Sequence, residues 1–63
     1  MDELVKKCIM YRAARGLSQA EMAKICGLSR AVINYFEHSG KAGRMSRAKI
    51  AIVVSGGTVN DRA

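Results

Sequence analysis

A chain of 63 residues has room for one domain with a thin core, since a domain this small buries only about 60% of its unfolded surface. Apolar residues make up 49% of it and aromatics only 5%, so the core has to be built from Leu, Ile, Val, Met and Ala, as packed short helices allow. Eleven Lys and Arg against five Asp and Glu give a net charge of +6, and no apolar run reaches the roughly 18 residues of a membrane span, which excludes a spanning segment and turns attention to a polyanionic partner.

Excess charge also serves solubility, so charge alone does not decide between the two roles. The N-terminal Met-Asp-Glu-Leu-Val-Lys-Lys lacks the basic-then-apolar order of a secretory leader, which predicts a cytoplasmic protein. Cys8 and Cys26 have no CxxC partner and no Cys/His cluster near them, so they are expected to be small buried hydrophobes rather than metal ligands. No metal, cofactor or small-molecule substrate is expected.

Asp2 can cap a first helix, and Leu4 or Val5, Cys8, Tyr11 and Arg12 recur at helical spacing until Gly16 stops it, which predicts a helix near residues 2 to 15. After Leu17, the run Ser18-Gln19-Ala20-Glu21 reads as a capping box that starts a second helix. Its apolar face is Met22, Ala23 and Cys26, and Gly27 supplies the left-handed residue that ends it. Leu28 can plug the core, and Ser29 is a second N-cap only two residues past the glycine. A third helix over about 29 to 38 follows, with Ile33 and Phe36 inward and Arg30, Ala31, Asn34 and Tyr35 outward. From His38 to Ser46 the chain reads as a flexible basic loop, with Ser46 as a candidate cap for the next element. In residues 47–54 the β-branched residues favour a strand, whereas the Ser cap and the terminating Ser55-Gly56-Gly57 suit a helix; the helix is the expectation.

Two short helices joined by a glycine turn can lay the second helix in a DNA major groove about 12 Å wide. Arg30 can contact guanine in bidentate fashion and Asn34 adenine, while Ser29 and Tyr35 can reach phosphates or base edges; Ala31 can at most touch a thymine methyl. The same residues could equally be the solvated face of an amphipathic helix. With one His, no nucleophile paired with a base and no phosphate-cradling glycine loop, the chain is not expected to be an enzyme. His38, near a helix C-terminus, reads as a capping or backbone-contacting residue.

The string from Arg12 through Gly16-Leu17-Ser18-Gln19, Ala23, Gly27 and Ser29 to Ile33 and Phe36-Glu37 resembles the helix-turn-helix family of the phage Cro and repressor proteins, the Xre type. The resemblance covers about half the chain. It implies an all-α fold, a small four- or five-helix bundle that is lambda-repressor-like with a shortened C-terminal end, forming a single domain over 1–63 with the helix-turn-helix proper at 18–38. It implies that Ala23 is the small residue where helices two and three cross, and that Gln19 hydrogen-bonds a phosphate. Ser29, Arg30, Ala31, Asn34 and Tyr35 would contact bases, and Lys41, Arg44 and Arg47 would contact phosphates. Arg12 and Glu37 would form a partly buried salt bridge, which removes the difficulty of a charged residue on the inward face of helix one. The implied function is a sequence-specific transcription regulator, a Cro-like repressor of phage, prophage or plasmid type bound to an operator in double-stranded DNA.

Ile50, Ile52, Val53 and Val54 are too many apolar residues for one small core to cover on every side. With Val59 they are the candidate interface of a homodimer built on residues 47–59, which would recognise a two-fold symmetric operator. The rival reading on the same fold is a protein-interaction module, an antitoxin or anti-repressor, kept open by Ile25 and Val32. A second rival is sequence-independent binding by charge alone.

Overall fold

Three of the helices begin at a side chain that replaces the missing partners of their first N–H groups. The computed structural model describes residues 2–57. Asp2 accepts from the Leu4 N–H at 2.7 Å and opens α1 (Glu3–Arg15); that bond, aided by Arg47, holds its carboxyl below the usual range. Ser18 opens α2 (Gln19–Cys26) with the full capping box: its Oγ accepts from the Glu21 N–H at 3.0 Å, and Glu21 accepts from the Ser18 N–H at 2.8 Å. Ser29 opens α3 (Arg30–Ser39) by accepting from the Val32 N–H at 3.3 Å.

The fourth helix, α4 (Arg44–Val54), starts differently. Its N-cap is Gly43, which has no side chain to cap with, and Ser46 lies inside the first turn rather than before it. The expected loop over 38–46 therefore shrinks to Gly40–Gly43, and Arg44 is a helix residue rather than a loop residue. Arg47 supplies the anchor that the cap does not. Its guanidinium donates to the Asp2 carboxylate at 3.2 Å and to the Gly40 carbonyl at 3.2 Å, and it lies 5.6 Å from the centre of the Phe36 ring. One side chain thus ties α4 to the start of α1 and the end of α3.

The core takes Val5 and Cys8 from α1, Met22, Ala23 and Cys26 from α2, Ile33 and Phe36 from α3, and Ile50 and Val53 from α4. Leu4, Leu17 and Leu28 pack around its rim. Both cysteines are buried with free thiols, as their isolation in the sequence predicts. Ile50 and Val53, spaced three apart, seat together in this core, and their burial outweighs the strand preference of the β-branched run. That burial also corrects the candidate dimer surface, because neither Ile50 nor Val53 has any side chain left to offer a partner. Ile52 is exposed and Val54 half-buried, while Val59 lies outside the described residues. Among the described residues no helix is long and apolar enough to cross a membrane.

Candidate nucleic-acid interface

Only Gly27, Leu28 and Ser29 separate α2 from α3. Gly27 sits at φ 71°, a left-handed conformation that a side chain resists, and the Leu28 N–H returns to the Ala23 carbonyl at 2.8 Å to close the turn. Ala23 itself is buried. α3 then divides cleanly, with Ile33 and Phe36 at 0% exposure on one side and Arg30, Ala31 and Tyr35 exposed on the other. Asn34 is half-buried and lies between these faces. Ser29 is exposed, and because its Oγ accepts from Val32 its hydroxyl hydrogen remains available to an outside acceptor.

Ala31 and Tyr35 form one wall of a groove of about 440 Å³ whose other wall is Lys41, Ala42, Gly43 and Ser46. Ser39 fixes this wall: its hydroxyl donates to the Tyr35 carbonyl at 2.7 Å and accepts from the Lys41 N–H at 3.1 Å. The structure therefore brings Lys41 alongside the outward residues of α3. Arg44 is exposed at the start of α4, and neither cation forms an ion pair among the described residues. Arg47 is not displayed in this way, since its guanidinium is spent on Asp2 and Gly40. His38 donates from Nδ1 to the Asn34 carbonyl at 2.8 Å, the backbone contact expected of it.

Behind α3, Glu37 gathers a network whose members come from three helices. Its carboxylate takes Arg12 in bidentate fashion, Nε to Oε2 at 3.0 Å and Nη2 to Oε1 at 2.9 Å. The Gln19 amide donates to Oε1 at 3.0 Å and the Cys8 thiol to Oε2 at 3.6 Å. Arg12 spends a further donor on the Leu17 carbonyl, so the pair also secures the α1–α2 turn. Burial pushes the Glu37 carboxyl up, but the Arg12 and Gln19 hydrogen bonds outweigh it and hold the group below its usual range. Cys8 moves the other way: burial, reinforced by the Glu37 charge beside it, pushes its thiol up to about 12. It stays protonated and donates.

Gln19 is where sequence reasoning saw least. The resemblance assigns its amide to a phosphate, whereas here Nε2 bridges Glu37 and Asn34, the latter at 3.3 Å. What α2 leaves free is backbone: the Gln19 and Ala20 N–H groups, at its positive end, have no protein acceptor among the described residues. The sequence marks Cys8 only as a core residue and Asp2 only as a cap, because their second roles depend on partners 29 and 45 residues away. No group of His, Cys, Asp and Glu among the described residues is placed to hold a metal ion.

A family model described as helix-turn-helix matches residues 9–48, the span from mid-α1 through the start of α4 that contains the turn, the outward face of α3 and the Arg12–Glu37 pair. No curated protein and no solved structure matches the chain. With the family model covering well over half its length, the chain belongs to the Cro/Xre type of helix-turn-helix proteins, regulators that bind double-stranded DNA.

Proposed function

We propose that the protein is a sequence-specific transcriptional repressor of phage, prophage or plasmid type, which acts by occupying an operator with α3 in the major groove. The observation that carries this reading is the division of α3 into a fully buried face and a polar, exposed one, held in place by Glu37. In this reading Arg30, Asn34 and Tyr35 face base edges, with Ser29 and Ala31 at the groove entrance. Lys41 and Arg44 take phosphates on one flank. On the other, a phosphate is held at the start of α2 by the Gln19 and Ala20 N–H groups rather than by the Gln19 amide. Arg47 belongs to the fold and not to the DNA contact.

Two copies bind a two-fold symmetric operator, with half-sites about one helical turn apart. Their contact draws on apolar side chains that the core leaves partly uncovered and that line one shallow groove, Val54 on α4 with Met10 on α1, while Ile52 is exposed on the other side of α4. Selection of bound sequences from random DNA at physiological salt tests both parts together. A two-fold symmetric consensus is the expected result. Failure to enrich any sequence would overturn the operator reading, in favour of binding by charge alone if DNA is still held and of a protein-interaction module if it is not, with the exposed Ile25 on α2 and the half-buried Val32 on α3 as apolar contacts.

A further inference from the structure

The internal network that anchors α3 also decides what Asn34 can read. An unconstrained Asn takes adenine through both ends of its amide, donating from Nδ2 to N7 and accepting at Oδ1 from the N6 amino group. In this fold the ends are not equivalent, because their orientation is dictated from Glu37 outward. A carboxylate only accepts, so the Gln19 atom 3.0 Å from Glu37 Oε1 has to be the amide nitrogen. That same nitrogen lies 3.3 Å from the Asn34 side chain. A nitrogen at that place would set donor against donor, so the Asn34 atom turned toward Gln19 is Oδ1. Nδ2, with its two hydrogens, is the end left for an outside partner.

We propose that Asn34, held by the Glu37–Gln19 relay, reads the major groove as a donor and selects an acceptor edge, guanine N7 and O6 or thymine O4, instead of adenine. Adenine offers Nδ2 a single acceptor, N7, and the N6 amino group beside it finds no partner unless Oδ1 leaves or shares its bond to Gln19, whereas guanine offers Nδ2 both N7 and O6. Gln19 is thereby a positioning residue for specificity. The inference rests on the operator reading above.

The test compares the sequences selected by the unaltered chain, by Asn34→Ala and by Gln19→Met, which keeps the length of the side chain and removes its donor. The unaltered chain is expected to prefer guanine or thymine over adenine by about tenfold at one position per half-site, the position at which Asn34→Ala loses discrimination. Gln19→Met is expected to shift that position toward adenine. Should Gln19→Met not fold, the base there is replaced by an analogue without the acceptor, 7-deazaguanine for guanine or 5-methyl-2-pyrimidinone for thymine. That replacement should weaken binding of the unaltered chain and leave Asn34→Ala unaffected. Adenine at the Asn34-dependent position, or a consensus with no such position, overturns the donor assignment while leaving the operator reading intact. The absence of any consensus overturns both.

Discussion

Glu37 shows how much a single side chain can carry in a core this thin. Its side chain is only 5% exposed, and all the usual acceptor positions of its carboxylate are occupied by Arg12, Gln19 and Cys8. Arg12→Ala removes the charge partner and strands a buried carboxylate, an alteration that costs about 3 kcal/mol or more. A 63-residue domain has a total stability of only about 3–9 kcal/mol, so this variant should lose a third of it or more, read as a lowered urea midpoint by circular dichroism. Glu37→Gln should cost less, because the Arg12 side chain, 24% exposed, can turn to water whereas Glu37 cannot. Equal losses in urea unfolding would refute that asymmetry. The same pair sets the acid limit of the fold. The folded-state pKa of Glu37 lies below its ordinary value of 4.5, so the unfolded chain binds the proton more readily. The stabilisation is complete above about pH 4.5 and is lost as the pH falls through the folded value; Asp2 and Glu21 act in the same direction. The urea midpoint should therefore hold steady from pH 7 to pH 5 and decline below about 4.5, with a shallower decline in Arg12→Ala.

The helix starts were readable because a cap is local chemistry. Ser18 and Glu21 satisfy each other within one turn, and Ser18→Ala should lower stability by about 1 kcal/mol, a fall in Tm of about 4–8 °C in a domain of this size. A Tm unchanged within one degree would mean that solvent replaces the cap without loss. The start of α4 was not readable in this way. Gly43 carries no capping group, and what fixes the helix is Arg47 reaching Asp2 and Gly40, a pairing that exists only once the chain has folded. The inward residues of α2 and α3 were legible from spacing because polar neighbours mark the opposite face. Ile50 to Val54 is apolar at every position, so nothing in the sequence separates Ile50 and Val53, which are core, from Ile52, which is exposed. Gln19 illustrates the same limit in the site: its place at the start of α2 was evident, and its partners Asn34 and Glu37 were not.

For the molecule as a whole, the net charge of +6 matters only through where its cations stand. Lys41 flanks the outward side of α3 and Arg44 is exposed on the adjoining turn of α4, whereas Arg47, partly exposed, is paired with Asp2 and the Gly40 carbonyl. These two situations separate affinity from stability. Each phosphate neutralised in B-DNA contributes about −0.9 to the slope of log affinity against log salt, because it releases condensed counterions. Replacing both Lys41 and Arg44 by Ala should therefore flatten that slope by about 1.8 per protomer bound and leave the melting temperature close to that of the unaltered chain. Arg47→Ala should do the reverse, lowering the melting temperature while its slope stays the same, since it removes the side chain that ties the start of α4 to Asp2 and the Gly40 carbonyl without removing a DNA contact. Titrations at several salt concentrations, paired with melts of the three proteins, check both halves. A slope unmoved by the double substitution would remove Lys41 and Arg44 from the interface, and a slope flattened by Arg47→Ala at unchanged stability would return Arg47 to it.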